Sequence, residues 1–288
     1  MQVTFLGTGA APSMPIPFCT CRVCMNARRV GGKNLRRRSS IIINADLLVD
    51  IGPDLATASY EHNLFLANIS VCLQTHAHED HLDVEFIISR HTEYGTEVAN
   101  GLLFVGSGET LRVVDEIVRR RCEYGSIFDP NTQAALKMNV LTVAPYETCT
   151  VGNYRATGYP ANHATDQASL LYSIEQGDRA VFYGTDTSVL SEEVWEHLLS
   201  YRTRYDLIIL DHTYGIGLES RPEDHLGSRD VIAHADRFRE SGLLKDTGIV
   251  YATHISHEGN AEHDELDKNA GKYGYRVAFD GLRLVLDG

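Results

Sequence analysis

One short segment constrains this chain more than any other: residues 75–81, which read THAHEDH. The apolar run Ile69–Gln74 comes directly before it and predicts a buried strand, so the segment should form the loop at that strand's C-terminal end. Three imidazoles and a carboxylate so close together are the donor set of a divalent transition metal site. The spacing differs from the helical His-Glu-x-x-His pattern, and a loop can divide such ligands between two ions. We therefore expect metal binding here rather than a solvated polar loop.

Further candidate ligands follow other apolar runs. His163, Asp186 and His254 each lie a few residues after a predicted strand. A single Asp or His in such a place is more often a turn or capping residue. Strands that end at one edge of a sheet can place their following residues around one cleft, so the agreement in position favours a shared site.

Short apolar runs bounded by turn residues recur along the whole chain, and four segments have helical periodicity. Many strands with a few helices indicate an α/β or α+β domain whose sheets are covered by helices. No repeat or linker divides the 288 residues, so we predict one domain over 1–288. The predicted strands are Val3–Leu6, Ser40–Ile43, Leu47–Asp50, Ser70–Gln74, Leu102–Val105, Val140–Val143, Tyr154–Gly158, Ser169–Ile174, Ala180–Tyr183, Leu207–Leu210, Ile249–Ala252, Arg276–Phe279 and Arg283–Leu286, and the predicted helices are Val84–Arg90, Glu109–Tyr124, Glu192–Tyr201 and Ser228–Arg239.

Composition argues against several classes of protein. The net charge of −13 disfavours a surface that coats duplex nucleic acid. No apolar run approaches the roughly 18 residues of a membrane span. The N-terminal residues lack the charged and apolar regions of a signal peptide. We expect a cytoplasmic protein with neither a membrane nor duplex nucleic acid as partner, and the sequence leaves a monomer and a homodimer open.

Three of the six cysteines stand together as Cys19, Cys21 and Cys24. In a reducing compartment this spacing indicates metal or redox chemistry rather than disulfides. Three thiolates are one ligand short of a tetrahedral zinc site, and His257, three residues beyond His254, is the candidate fourth. We predict a structural Zn²⁺ that holds the loop near residues 18–38 in place beside the active site. A reduced, partly buried thiol cluster is the alternative.

The longest basic segment of the chain follows the cysteine cluster. Two interpretations stay open: a solvated loop, or a set of cations that grips a substrate phosphate. If several of these side chains reach the cleft, the sequence favours a nucleotide as the substrate. The run consists of Arg28, Arg29, Lys33, Arg36, Arg37 and Arg38.

The ordered motifs resemble those of the metallo-β-lactamase-fold superfamily. The opening residues 5–9 (FLGTG), the His-x-His-x-Asp-His block, His163, Asp186 and His254 match the five family motifs over almost the whole chain. The resemblance implies a four-layer αββα sandwich and two divalent ions, Zn²⁺ or Mn²⁺, along one sheet edge. It assigns His76, His78 and His163 to one ion, Asp80, His81 and His254 to the other, and Asp186 to both. Residues 7–12 (GTGAAP) have Pro12 where a dinucleotide-binding loop has its third Gly, and we expect them to form a tight turn beneath the metal site.

The chemistry of such a pair follows from its charge. Two dications roughly 3.5–4 Å apart lower the pKa of a shared water and stabilise both the attacking and the departing oxygen of an in-line displacement. A phosphodiester suits this geometry, and an ester or lactone is also within its reach. We expect a metal-dependent hydrolase, and a phosphodiesterase of small cyclic or nucleotide-like phosphates above other kinds.

The cysteine loop together with residues 253–257 (THISH) is similar to the family of phosphoribosyl 1,2-cyclic phosphate phosphodiesterases. That resemblance implies that His225 protonates the leaving oxygen, and it makes Asp80 catalytic as well as a ligand. His212 or Tyr214, which follow a predicted strand, are rival acids. The cysteine loop also occurs in a related family linked to pyrroloquinoline quinone synthesis, so it does not fix the substrate.

Three other functions stay open from the sequence. An RNA-processing nuclease of the same superfamily predicts a long basic arm, and the sequence contains none. An esterase or lactonase would use the same site against a carbonyl carbon. A non-catalytic metal-binding or redox-sensing protein would use Cys19, Cys21 and Cys24 as its sensor and bind no pair of ions.

Overall fold

The structure of the protein, a computed structural model, describes residues 1–94, 97–98, 100–121, 125–163, 168–216 and 224–287. Within these residues two seven-stranded sheets lie face to face, and helices cover both outer faces. This is the four-layer αββα sandwich predicted from the sequence, which confirms the predicted fold class.

The first sheet is built from the N-terminal half of the chain and its last strand. Its strands are β1 (Gln2–Gly7), β2 (Ser40–Ile43), β3 (Leu47–Val49), β4 (Val71–Leu73), β5 (Leu102–Gly106), β6 (Met138–Thr142) and β14 (Arg283–Val285). They are ordered β14-β1-β2-β3-β4-β5-β6. The strands from β3 to β6 are parallel, and the remaining pairs are antiparallel.

The second sheet is built from the C-terminal half. Its strands are β7 (Thr148–Val151), β8 (Tyr154–Pro160), β9 (Leu170–Gln176), β10 (Arg179–Gly184), β11 (Tyr205–Asp211), β12 (Leu244–Thr253) and β13 (Arg276–Val277), in the order β13-β12-β11-β10-β9-β8-β7. The strands from β10 to β13 are parallel. Because β9 is antiparallel to both β8 and β10, β8 runs in the same direction as β10.

The helices are α1 (Arg22–Val30), α2 (Leu55–Glu61), α3 (Glu85–Ile88), α4 (Gly108–Arg121), α5 (Pro130–Leu136), α6 (Glu192–Tyr201), α7 (Ser228–Glu240) and α8 (His263–Gly271), with short 3₁₀ turns at Gly32–Asn34, Leu66–Asn68 and Thr92–Tyr94. Side-chain caps begin several of them: Ser191 accepts from Val194 at α6, and Asp129 accepts from Asn131 at α5. In the described part of the chain, no helix combines the length and apolar character that a bilayer crossing requires.

Side-chain alternation along the strands produces the layers. On β2, Ile41 and Ile43 point between the sheets, whereas Ile42 points outward beneath α2, α3 and α4. On β11, Leu207 and Ile209 share the inner core, whereas Ile208 packs outward with α6 and α7. These strands are covered on both faces and therefore carry apolar residues at successive positions. In the sequence they appear as continuous apolar runs.

Every predicted strand overlaps an observed one, and the structure adds elements that periodicity did not indicate. β7 was not predicted, and β12 begins at Leu244, earlier than expected. The helices α1, α2, α5 and α8 were also not predicted, because they are short and bury few side chains; α8, for example, buries only three of its nine residues. The predicted helix Glu109–Tyr124 matches α4 as far as Arg121, and its last three residues lie outside the described residues.

Residues 7–12, predicted to form a tight turn, join the two sheets beneath the functional edge. Gly9 bridges to Arg38 and Ile255, and the turn itself follows, where the Ser13 N–H donates to the Ala10 carbonyl at 2.8 Å. Ile255 N–H donates to the Thr8 carbonyl at 2.9 Å, and Ala10 N–H donates to the Ile255 carbonyl at 3.2 Å. This segment needs glycine at position 7 for a steric reason: a Cβ on Gly7 would lie 1.9 Å from the carbonyl oxygen of Arg38. The close approach of these two backbones is possible only without a side chain.

We predict that Gly7→Ala lowers the free energy of unfolding by about 3 kcal/mol, because backbone atoms rather than a flexible side chain must move. Urea unfolding of the purified protein measures the change. Gly271→Ala, at the end of α8 with no atom near the added Cβ, is the matched control and should be neutral or slightly stabilising. Equal stability of the two variants would contradict the prediction.

Candidate metal centre

Four strands bring the predicted ligands to one edge of the sandwich, and a fifth, β11, ends at the same edge. β4 in one sheet, and β8, β10, β11 and β12 in the other, all end at this edge. The two sheets are joined here, since the Leu170 N–H donates to the Thr75 carbonyl and the Tyr172 hydroxyl donates to the Gln74 carbonyl, both at 2.9 Å. The loops after these strands therefore face a common space.

One group of donor atoms consists of three imidazoles and a carboxylate oxygen. His76 Nε2 lies 2.9 Å from His78 Nδ1, which lies 3.2 Å from His163 Nε2. The Oδ2 atom of Asp186 lies 3.2 Å from His76 Nε2. One ligand atom from each of these four residues is within 4.8 Å of all the others, as a common ion requires.

The second group shares the same aspartate. His81 Nε2 lies 3.2 Å from Asp80 Oδ2 and 2.8 Å from Asp186 Oδ2. His254 Nε2 lies 3.6 Å from Asp80 Oδ2 and 3.5 Å from Asp186 Oδ1. The structure thus brings all the predicted ligands together in the two sets that the motifs predict, with Asp186 in both.

Unsatisfied buried atoms test whether these residues fit divalent ions. His81 Nε2, His254 Nε2 and Asp186 Oδ1 are buried, point into the centre and have no hydrogen-bond partner. Buried polar atoms of this kind are costly and rare, and a bound ion removes the cost. Imidazole and carboxylate donors suit Zn²⁺ or Mn²⁺. The residues present therefore fit a pair of divalent ions.

Other side chains orient the imidazoles through their second ring nitrogens. His81 Nδ1 is 2.7 Å from Asp50 Oδ2, His254 Nδ1 is 2.7 Å from Thr213 Oγ1, and His76 Nδ1 is 2.9 Å from Thr75 Oγ1. His163 Nδ1 lies 3.2 Å from the carbonyl of Asp224. Such contacts fix the ring orientation and leave the other nitrogen free for a metal.

The backbone is strained at three of these positions. Asp50, Asp186 and His254 have φ values of 65°, 57° and 57°, in the left-handed region that L-residues with a Cβ rarely adopt. Each of them lies one or two residues after a strand and turns its side chain toward the centre. Strain of this kind persists where the surrounding structure holds it in place, typically at functional sites.

Charge is concentrated at the centre. Burial by itself lowers the pKa of His81, but the carboxylates of Asp80, Asp50 and Asp186 outweigh it and raise that pKa well above its ordinary value. Burial by itself raises the pKa of Asp186, and the imidazoles of His254 and His81 reverse the effect and hold it well below its ordinary value. The carboxylate of Asp186 is therefore ionised, and the centre attracts cations.

His225, the predicted acid, stands beside the ligand groups in the same cleft. Its Nδ1 lies 3.0 Å from Asp211 Oδ2 and 3.2 Å from Asp186 Oδ1, and its Nε2 lies 3.3 Å from Asp224 Oδ1. Burial alone lowers the pKa of His225, but the neighbouring carboxylates, first among them Asp211, raise it to about 9. The imidazole is thereby positioned as a proton donor.

The two rival acids occupy different places. His212 is fully buried and does not line the cleft: its ring nitrogens lie 3.0 Å from Asn260 Oδ1 and 3.0 Å from the Tyr275 hydroxyl. Burial lowers its pKa to about 4, so it is a structural histidine rather than an acid. Tyr214 does line the cleft, and its hydroxyl donates to Asp224.

The cleft itself has a volume of about 370 Å³. Among the described residues, its lining combines ligands with residues of the turn after β1 and of the loops after β11 and β12. The lining residues are Ala10, Ala11, Pro12, His78, Asp80, His163, Asp186, Thr213, Tyr214, Asp224, His225, His254, Ser256, His257 and Glu258.

The cysteine cluster meets His257 as predicted. The distances from His257 Nδ1 to the sulfur atoms of Cys19, Cys21 and Cys24 are 3.4, 3.4 and 3.6 Å. A tetrahedral zinc with Zn–S of about 2.3 Å and Zn–N of about 2.0 Å separates sulfur and nitrogen by roughly 3.5 Å, so the four atoms fit one zinc ion. Because His257 also lines the cleft, this second site supports the cleft wall.

The basic run forms no phosphate grip, since none of its members lines the cleft. Arg36 is buried and donates to Thr8, the Ala278 carbonyl and His263. Arg37 pairs with Glu61 and Asp280, and Arg38 pairs with Asp54. Arg28 donates to the backbone carbonyls of residues 16, 17 and 19. These cations hold the N-terminal loop to the body of the protein.

Three important side chains were not identified from the sequence. Asp50 binds His81, Asp211 binds His225, and Thr213 binds His254. Asp50 follows β3 and Asp211 ends β11, so the rule that pointed to Asp186, a carboxylate at the end of a strand, could have identified both. Nothing in the sequence distinguishes the hydroxyl of Thr213 from those of its neighbours.

Comparison with known proteins agrees with this geometry. The model of a β-lactamase superfamily domain matches residues 46–255, which is most of the chain. No curated protein matches the sequence. Among solved structures, zinc-bound PqqB from Methylobacterium extorquens has a TM-score of 0.74 at 18% identity, covering 99% of this chain and 100% of that one.

Two further structures share the fold. A diphosphatase from the PhnP family has a TM-score of 0.71 at 21% identity, covering 98% of this chain and 96% of that one. Human tRNase Z, short form, has a TM-score of 0.65 at 15% identity and complete coverage of both chains. At these identities the structural likeness shows the fold alone. The family match over residues 46–255 shows more: the chain belongs to the β-lactamase superfamily, as a hydrolase of the metallo-β-lactamase fold.

Proposed function

We propose that this protein is a phosphodiesterase that acts on a small cyclic or nucleotide-like phosphate. The observation that carries the proposal is the position of His225 beside the two ligand groups, in the same cleft and 3.2 Å from the shared Asp186. A phosphodiester with an alkoxide leaving group needs both an electrophilic centre and a nearby proton donor. The names of two solved structures of this fold, a diphosphatase and a tRNase, support phosphoryl chemistry.

The chain supplies positions for two divalent ions and a fixed acid. Bound Zn²⁺ or Mn²⁺ would activate water and neutralise charge on the phosphoryl oxygens. Asp186 holds the two ligand groups at a fixed separation because each of its oxygens approaches both histidine sets. Asp80, another ligand, also lines the cleft.

Asp211 fixes the orientation of the acid. Its carboxylate accepts hydrogen bonds from the backbone N–H groups of Asp186, Thr213 and Leu226 and lies against His225 Nδ1. A carboxylate held by several donors has a fixed orientation, so the imidazole of His225 keeps its Nε2 edge in the cleft. In this position His225 delivers a proton from Nε2 to the departing oxygen, once Nε2 is released from Asp224.

The cleft favours a small substrate over RNA. Its volume of about 370 Å³ suits a ligand of roughly nucleotide size. In the described part of the chain, no Lys or Arg lines the cleft, and the basic run after the cysteines is engaged with protein groups. A nuclease that holds a long RNA needs several such cations.

A structural zinc ion at Cys19, Cys21, Cys24 and His257 is part of the proposal. The thiols must stay reduced to bind it, which is why we also propose a cytoplasmic location. The described cysteines are free. The zinc would hold α1 and the preceding loop against the loop after β12, which carries both His254 and His257.

Metal content tests the ligand assignments. By inductively coupled plasma mass spectrometry we expect three divalent ions per wild-type chain and two per chain of Cys24→Ser. In Asp186→Asn the affinity for the pair of ions should fall at least about tenfold, so that at most one ion, the structural zinc, stays firmly bound. Cys149→Ser, at a cysteine outside both sites, is the control and should keep all three. The assignment is wrong if Cys24→Ser and Asp186→Asn both keep the wild-type content.

Turnover tests the reaction. We expect the protein loaded with Zn²⁺ or Mn²⁺ to hydrolyse bis(p-nitrophenyl) phosphate and ribose 1,2-cyclic phosphate, measured by absorbance and by ³¹P NMR. Asp186→Asn should lose at least about 10³-fold in kcat, because both ligand groups depend on this carboxylate. No turnover of either compound by protein with both ions bound would refute the phosphodiesterase proposal, and cleavage of esters or lactones alone would favour the alternative hydrolase.

The leaving group tests the acid. We predict that His225→Gln lowers kcat on ribose 1,2-cyclic phosphate by about 10²–10⁴-fold. On bis(p-nitrophenyl) phosphate the loss should be under about tenfold, because p-nitrophenolate departs without a proton. His197→Gln on α6 is the control and should change neither rate. Equal losses on the two substrates would show that His225 serves the centre in another way, for example as a ligand.

A further inference from the structure

The charges of the centre nearly cancel. Two divalent ions would bring four positive charges, and the centre holds four buried carboxylates that offset them: Asp50, Asp80, Asp186 and Asp211. A phosphodiester carries a single negative charge and meets the ions directly, with His225 beside it. Any other charged part of a substrate lies farther from the ions and meets the cleft wall instead, so the charge of the wall decides which flanking groups are accepted.

That wall is acidic. Among the described lining residues outside the ligand sets, the charged side chains other than histidine are those of Asp224 and Glu258. The other lining groups are small, apolar or hydroxyl-bearing, such as Pro12, Tyr214 and Ser256. A cleft that recognises a second phosphate places Arg or Lys there.

The loop that carries Glu258 is held firmly. The Glu258 N–H donates to Ser256 Oγ at 3.0 Å, and the Glu258 carbonyl accepts from that hydroxyl at 3.0 Å and from Asn260 at 3.4 Å. His257, the preceding residue, belongs to the cysteine cluster. The side chain of Glu258 lines the cleft and is 65% exposed, and its Oε1 lies 3.7 Å from His257 Nε2.

We propose that Glu258 is a specificity residue, which makes the cleft select phosphodiesters whose flanking group is uncharged and bears hydroxyls and reject those with a second anionic group. The inference rests on the proposed phosphodiesterase function. A carboxylate accepts hydrogen bonds from the hydroxyls of a sugar and repels a phosphate monoester. Asp224, on the same cleft, adds to the repulsion, but its contacts with Tyr214 and His225 also tie it to the acid.

Two substrates that differ only in a remote phosphate test the proposal: ribose 1,2-cyclic phosphate and its 5-phosphate. We expect kcat/KM for the first to exceed that for the second by about tenfold or more at low salt, since exposed charges are little screened there. The ratio should shrink in 0.5 M NaCl. Glu258→Gln should reduce the ratio, and Glu258→Lys should bring it to one or below.

Glu240→Lys is the matched control. It makes the same change in net charge at the far end of α7, about 18 Å along the helix from its start beside the cleft. This variant should keep the wild-type ratio. If it shifts the ratio as much as Glu258→Lys does, the effect belongs to net charge, and the assignment to Glu258 is overturned.

A binding measurement separates this inference from the proposed function. Titration calorimetry of the metal-loaded protein with ribose 1-phosphate and ribose 1,5-bisphosphate should show weaker binding of the bisphosphate, and Glu258→Lys should reverse the order. Absence of turnover on both cyclic phosphates would refute the proposed function, and the calorimetric comparison would still decide the selectivity. Equal binding of the two anions, or a bisphosphate preference in the wild type, would overturn the inference.

Discussion

The buried carboxylate of Asp186 is the group on which the rest of the functional edge depends. It is 3% exposed, and its two oxygens approach imidazoles from both ligand groups. Four separate loops must converge within a few ångströms for this to happen. They converge because the strands before them run in the same direction and end at one edge, where the turn after β1 joins the sheets.

Polar side chains that contact the ligands from behind, first among them Asp50 and Asp211, stabilise this arrangement. Asp50 accepts from the N–H and hydroxyl of Thr75 and from the side chain of Gln74, and it also orients His81. Asp211 does the same for the other half of the centre, where it fixes Thr213 and His225. Each aspartate is fully buried, and each satisfies its oxygens within the protein. The ligands are therefore oriented by the fold itself.

The ligand set was predictable, whereas the polar side chains behind it were only partly so. The densely spaced histidines and Asp80 identified four ligands in one loop, and positions just after predicted strands indicated the other three. The family resemblance then divided the seven ligands between two ions. Asp50 and Asp211 share the position that marked Asp186 but lack an adjacent motif. The acidic wall was not predictable either, because Glu258 and Asp224 are ordinary loop residues in the sequence, and only folding places them on the same cleft.

The sequence by itself determined which side chains can bind metal, their order along the chain and a domain of sheets covered by helices, because ligand chemistry and apolar periodicity are local properties. The four-layer arrangement was implied by the family resemblance. The tertiary structure decided which polar residues face the cleft. Asp211 and His212 are neighbours, yet successive side chains of an extended chain point to opposite sides, so Asp211 meets the centre while His212 is bound to Asn260 and Tyr275. The same holds for Arg36 and Arg37, which bind Ala278 and Asp280 more than two hundred residues farther along the chain, contacts that only loop packing creates.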